Sequence, residues 1–287
     1  MKEVMPFRTI SIIGMAKNAG KTTTLNYLIR FLNRQKCKLA LTSIGRDGES
    51  VDVVTKTEKP QIFVFKDTII ATAEKLLPLC DITKEIFATT DINTPFGKVV
   101  MARALSDGFV QLGGPSITTQ IADLIKNLPA DKVLVDGAIS RKTLANPSVT
   151  EATILCTGAS FSQSMQKTID ETRHIVNMFT LPRFDDSKCI HLEGAVSDTR
   201  LNDIIMTNKD LNGTCIVAED PSKIFIKPAT YEKLKIKKAV LAVKNPVRLV
   251  AITINPVAPY HAGYDPLEFL AKMREAVPIP VYDVEKS

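Results

Sequence analysis

One stretch, Gly14-Met-Ala-Lys-Asn-Ala-Gly-Lys-Thr22, gathers the residue types that bind a polyphosphate. Backbone N–H groups of such a loop can encircle an anion, and a helix starting there aims its positive pole at the same point. Lys21 is placed to neutralise charge at the terminal phosphates, and Thr22 to offer its hydroxyl to Mg²⁺. Gly20 lets the backbone approach closely. Gly14, Asn18, Ala19 and Thr23 complete the expected nucleotide-binding wall. Lys17 either touches phosphate or is an exposed loop lysine. The competing explanation is a chance Gly-Lys-Thr in a turn.

The spacing departs from the usual motif, which has four residues between its glycines. Here five residues, Met15 to Ala19, lie between Gly14 and Gly20, and a looser alignment puts Met15 at the first glycine position. Context supports the motif. Arg8 to Gly14 is a short apolar, β-branched run expected to form a strand buried on both faces. Thr22 to Leu32 then sets Leu25, Leu28, Ile29 and Leu32 at helical spacing.

Further strands are expected at Leu39–Gly45, Gln61–Phe65, Lys132–Asp136 and Ala152–Thr157. Residues Ile70–Leu79 read as a helix. Glu85–Thr89 and Val99–Leu105 read as a hairpin arm around the turn chemistry of Asn93-Thr-Pro-Phe-Gly97. A helix is expected to start near Gly113-Gly-Pro-Ser116, and a long one covers Gln163–Met178. Later strands are expected at Cys189–Ala195, Thr214–Val217 and Leu249–Ile254, with Lys223–Ile226 and Ala239–Val243 as additions to the sheet. Pro266–Ala276 reads as the last helix, and Ile279–Tyr282 as the last strand. This alternation predicts an α/β fold with a mostly parallel β-sheet flanked by helices. Residues 1–160 would form the P-loop nucleotide-binding core. Residues 161–287 would continue the sheet or form a closely packed second lobe.

The bulk properties fit that picture. The 287 residues are 45% hydrophobic and 24% charged, with a net charge of +6. The basic cluster Lys233-Leu-Lys-Ile-Lys-Lys238 reads as the solvated face of a helix or edge strand, without the features of a nucleic-acid site. Five cysteines without a CxxC pair suit buried thiols in a reducing cytoplasm. No run of ~18 apolar residues is present, so no membrane span is expected. The sequence leaves a homo-oligomer open.

The long glycine spacing resembles dethiobiotin synthetase and the wider P-loop NTPase class of MinD-like ATPases and nickel-insertion GTPases. That resemblance implies two Mg²⁺-holding acids after strands: Asp47, in Ser43-Ile-Gly-Arg-Asp-Gly-Glu49, and Asp136, in Val133-Leu-Val-Asp-Gly-Ala138. With Lys21 they form the implied catalytic set, and with Thr22 the implied metal set. Both acids also suit turn capping. Two departures matter. Thr42-Ser-Ile stands where dethiobiotin synthetase has a substrate-activating lysine, and the MinD-like signature lysine falls on Ala16.

Ile13 to Thr24, Thr42 to Glu49 and Val135 to Ser140 together resemble the P-loop subunit of lysine 5,6-aminomutase reactivase. That family implies a reactivating chaperone with a MutS-related ATPase partner, acting on an adenosylcobalamin-dependent aminomutase. The alternative is an ATP-dependent small-molecule ligase or kinase.

For the base, Thr207-Asn-Lys-Asp210 carries its acid one residue too early for the guanine-reading pattern and reads as a helix end, which favours ATP. Asn255, in Thr253-Ile-Asn-Pro256, stands where related folds contact the base; a turn asparagine before proline is the alternative. His261, between Tyr260 and Tyr264, has a catalytic appearance without an assignable acid or nucleophile.

Overall fold

Strand β1 (Thr9–Gly14) is buried at every residue and alternates between two cores. Ile10 and Ile12 face α1 (Lys21–Arg34), whose Leu25, Leu28, Ile29 and Leu32 are buried against them. Ile13 faces the opposite core. Opposite faces alternate because successive strand side chains point to opposite sides.

The computed structural model describes residues 1–45, 61–137, 149–184, 189–208 and 210–285. After α1 come β2 (Leu39–Ser43), β3 (Ile62–Val64), β4 (Ile69–Ala73), β5 (Lys84–Thr94), β6 (Gly97–Ala104) and β7 (Gly108–Val110). Next are α2 (Thr118–Asn127), β8 (Lys132–Asp136), β9 (Ala152–Gly158) and α3 (Met165–Phe179). The large sheet has nine strands in the order β16-β15-β9-β1-β8-β2-β4-β6-β5, where β15 is Leu249–Asn255 and β16 is Val281–Asp283. Neighbours from β16 to β4 run parallel, and β6 and β5 add an antiparallel hairpin. On the face away from α1, Ile121, Leu124 and Ile125 of α2 share a core with Ile169, Val176 and Phe179 of α3. Phe269 and Met273 of the last helix, Pro266–Ala276, complete it.

Between α3 and β15 the chain builds a separate parallel sheet of β10 (Ile190–Leu192), β12 (Cys215–Ala218) and β14 (Val240–Val243). Two short strands, β11 (Val196–Ser197) and β13 (Ile224–Phe225), pair beside it. Helices α4 (Asp198–Thr207) and α5 (Pro228–Ile236) cover it around a third core that includes Leu201, Ile216, Leu234 and Leu241. The last helix is therefore α6.

Three expectations need correction. Ile70–Leu79 is not an α-helix. It is strand β4 followed by a 3-10 turn, Glu74–Leu79, with Pro78 inside it. All five residues of β4 are buried, so the run has no alternation to mark it as a strand, and Pro78 is incompatible with a helix interior. The expected strand Cys189–Ala195 is only Ile190–Leu192, and Gly194 turns with φ +71°. The segments Lys223–Ile226 and Ala239–Val243 supply β13 and β14, outside the large sheet. The basic cluster lies on α5 and its C-terminal turn.

Candidate functional site

Parallel sheets gather their loops at the strand C-termini, where ligands bind. Here β1 ends at Gly14, β8 at Asp136, β2 at Ser43, β9 at Gly158 and β15 at Asn255. Asp136 lies in register between Ile12 and Ser43, so β8 sets a carboxylate beside the start of the Gly14–Thr22 loop.

The loop leaves β1 with Met15 N–H still bonded to the Cys156 carbonyl at 2.9 Å. The Met15 side chain turns towards α3, where the Thr172 hydroxyl donates to its Sδ at 3.1 Å. Met15 packs there against the core that α2, α3 and the last helix share. Asn18 adopts φ +62° and Gly20 φ +87°; the second is the N-cap of α1. A Cβ on Gly20 would come within 3.1 Å of the Asn255 Cβ, so both conformation and space call for glycine. The first intrahelical bond runs from Thr24 N–H to the Gly20 carbonyl at 2.9 Å. The amides of Lys21, Thr22 and Thr23 precede it and have no partner within the helix.

Lys21 is the first residue of α1, yet its stem folds back over the loop's beginning. A Cβ on Gly14 would lie 3.1 Å from both Cγ and Cδ of Lys21. Gly14 therefore makes room for the lysine. The ammonium is carried towards Asp136, whose carboxyl feels its charge. Asp136 is partly exposed as a residue, but its Oδ1 is buried without a hydrogen-bond partner among the described residues. Burial pushes this carboxyl up from 3.8 to about 6, against the lowering pull of the Lys21 ammonium and the Gly137 N–H.

Asn255 meets the loop from the far side. Its Nδ2 donates to the Asn18 carbonyl at 3.0 Å, and its Oδ1 accepts from Val257 N–H at 3.0 Å. Both ends of the amide are thus engaged within the protein. Gly158 passes close by, where a Cβ would sit 2.3 Å from the Asn255 carbonyl oxygen. Beneath the helix start, Thr24 Oγ1 meets Thr253 Oγ1 at 2.8 Å, and Cys156 Sγ lies 3.4 Å from Thr24 Oγ1. Burial pushes the Cys156 thiol up, so it stays protonated.

No family model, curated protein or solved structure matched the chain.

Of the residues selected from sequence, the fold assembles Gly14, Lys17, Asn18, Ala19, Gly20, Lys21, Thr22 and Thr23 at one strand end. It adds Asp136 and Asn255 to them from β8 and β15. Lys17 is exposed and Ala19 buried. Asp47 lies outside the described residues. His261 serves the adjoining loops. Its Nδ1 accepts from Gly263 N–H at 3.2 Å, which assigns the proton to Nε2, and Nε2 then donates to the Ala159 carbonyl at 2.9 Å.

Gly114 was not singled out as a site residue. A Cβ there would lie 1.9 Å from the Ser43 carbonyl oxygen, and its N–H donates to Ser43 Oγ at 3.2 Å. Gly113-Gly114-Pro115 thus seals the end of β2 next to Asp136. The consecutive glycines were its sequence signal. Ser160 Oγ is also buried without a partner among the described residues, and no local pattern announces it.

Proposed function

We propose that this chain is a P-loop NTPase that binds Mg²⁺-ATP at Gly14–Thr22 and hydrolyses it. One observation carries the reading: the Lys21 stem lies over Gly14 and brings its ammonium near a buried, unpartnered carboxylate oxygen on Asp136. A buried carboxylate oxygen without a donor is costly unless a ligand completes it. The chemistry of the donor set suits Mg²⁺, which favours hard oxygen ligands and retains several waters.

The amides of Lys21, Thr22 and Thr23 would hold phosphate oxygens at the positive pole of α1. Lys21 would neutralise charge on the terminal phosphate, and Asn18 and Gly20 would keep the loop open to it. Thr22 and Asp136 would hold the metal, with Asp47 as a further ligand. Bound Mg²⁺ would supply charge neutralisation across the phosphates. Ionised Asp136 is the form that binds a metal, so Mg²⁺-dependent binding should weaken as pH falls through about 6.

Within this reading, the chain would be a reactivating chaperone subunit. It would work with a MutS-related ATPase on an adenosylcobalamin-dependent lysine 5,6-aminomutase. The support is the motif resemblance over Ile13–Thr24, Thr42–Glu49 and Val135–Ser140.

Phosphate release from Mg²⁺-ATP by the purified chain tests the proposal. Slow release that rises with the partner proteins is the expected result. Release that requires a small carboxylate or hydroxyl metabolite points instead to a ligase or kinase. An absence of saturable nucleotide binding rejects the nucleotide reading altogether.

A further inference from the structure

The basic cluster of α5 has no role in the nucleotide reading; its lysines are exposed, and two of them border a groove. Helices α4 and α5 lie side by side on the smaller sheet and leave a cavity of about 280 Å³ between them. It is lined by Asn202, Ile205, Met206, Lys233, Ile236 and Lys237. Met206 and Ile236 are each 78% exposed, more than any other large hydrophobic residue among those described. A single exposed aliphatic side chain is ordinary on a protein surface. Two at the mouth of one groove, with Ile205 in its wall, mark an interaction site.

The charged residues that line the groove, Lys233 and Lys237, are of one sign. Lys233 reaches across from α5 and donates to Asn202 Oδ1 of α4 at 3.2 Å. Lys237 stands at the C-cap of α5. Of the nearby carboxylates, Asp203 on α4 is exposed, and two others are engaged within the protein. Glu232 pairs with Lys235 at 2.6 Å, and Asp198 accepts from Lys227 N–H and the Thr230 hydroxyl. None of the six lining residues is acidic.

We infer that the α4/α5 groove docks an acidic amphipathic helix of a partner protein. The partner's apolar side chains would seat on Ile205, Met206 and Ile236, and its flanking carboxylates would face Lys233 and Lys237. Nucleic acid fits less well, because an aliphatic floor offers phosphodiesters nothing and no lining residue is aromatic for base stacking. An anionic membrane surface fits less well because the apolar residues line a concavity the size of a side chain. The groove lies on the smaller lobe, so this inference does not depend on the nucleotide proposal.

The test is a selection of random displayed peptides on the immobilised full chain. A parallel selection uses the Met206→Glu/Ile236→Glu double variant. Both substituted residues are exposed, so folding is retained and is checked by circular dichroism. Recovered peptides are expected to carry apolar residues at i, i+3 and i+4 spacing among Asp and Glu. They should bind the double variant at least about tenfold more weakly. Lys233→Glu with Lys237→Glu should shift preference to versions of the same peptides with Lys in place of Glu. Lys21→Ala should leave peptide binding unchanged, which separates this inference from the nucleotide site.

Four results would overturn it. These are no enrichment, enrichment without acidic residues, peptides indifferent to Met206→Glu/Ile236→Glu, or groove-dependent binding of duplex DNA or phosphatidylserine vesicles in place of peptide.

Discussion

The two ends of β8 carry opposite charges in opposite conditions. At the amino end, buried Lys132 donates from its Nζ to the carbonyls of Met5 and Phe7. Beside it, the Arg8 guanidinium donates to the Leu128 carbonyl at 2.8 Å and the Ile125 carbonyl at 3.2 Å, closing the end of α2. Glu151 Oε2 accepts from Arg8 N–H at 2.6 Å. At the carboxyl end, Asp136 Oδ1 is buried without a partner among the described residues, and Asn18 and Gly20 hold positive φ angles nearby. Five residues of one strand therefore connect a satisfied polar cluster to an unsatisfied one. The first stabilises the fold. The second costs stability, as expected of an end shaped for something other than folding.

The largest effect should come from Asp136→Asn in the metal-free protein. Below about pH 4 the carboxyl is protonated in both folded and unfolded chains, so it makes no difference. Between about pH 4 and 6 the unfolded chain ionises while the folded one keeps its proton. Above about 6 the folded state bears the full cost of a buried charge. A rise from 3.8 to about 6 corresponds to about 3 kcal/mol, so the variant should be more stable by up to that amount at pH 7. Urea denaturation at pH 7 and pH 4 measures it, and a gain that persists undiminished at pH 4 breaks the comparison. The same variant should lose Mg²⁺-dependent activity.

Next comes Lys21→Ala, which removes a charge-assisted contact in a preorganised anion site. Triphosphate affinity should fall roughly hundredfold by calorimetric titration. Unchanged affinity would place the anion elsewhere.

The satisfied end should respond in the reverse sense. Lys132→Met leaves the Met5 and Phe7 carbonyls without their donor and should cost about 2 kcal/mol of stability. Nucleotide affinity should stay as in the parent chain. A variant that binds nucleotide poorly while unfolding normally would mean that the two ends are coupled.

The smallest effect is expected for Asn255→Ala. It removes the amide that joins the Asn18 carbonyl to Val257 N–H, so the loop loses about 1 kcal/mol of preorganisation. Nucleotide affinity should drop by about fivefold with little change in global stability. An effect confined to ATP, with GTP binding untouched, would show instead that Asn255 contacts the base.

Much of the chain could be read locally. Lys132–Asp136 and Pro266–Ala276 form the elements their residue patterns announce. The hairpin at Asn93–Gly97 and the helix carrying Leu25, Leu28, Ile29 and Leu32 also form as their patterns indicate. The failure at Ile70–Leu79 has a physical cause, since a strand buried on both faces loses the alternation that distinguishes it from a buried helix. For residues 161–287 the strand patterns leave both a continued sheet and a second lobe open, and the separate sheet of β10, β12 and β14 is the second of these. A short apolar strand does not record which sheet it will join.

By itself, the sequence determined which groups are available: a glycine loop before a helix, a lysine and threonines in its first turn, and an acid closing a strand. Only the tertiary structure decided that β8 inserts between β1 and β2, so that Asp136 stands beside a loop more than a hundred residues earlier in the chain. It also brought Asn255 against Asn18, 237 residues away. Propensity and periodicity are properties of short windows. Strand adjacency instead follows from burying both faces of a sheet and from the crossovers that this burial permits.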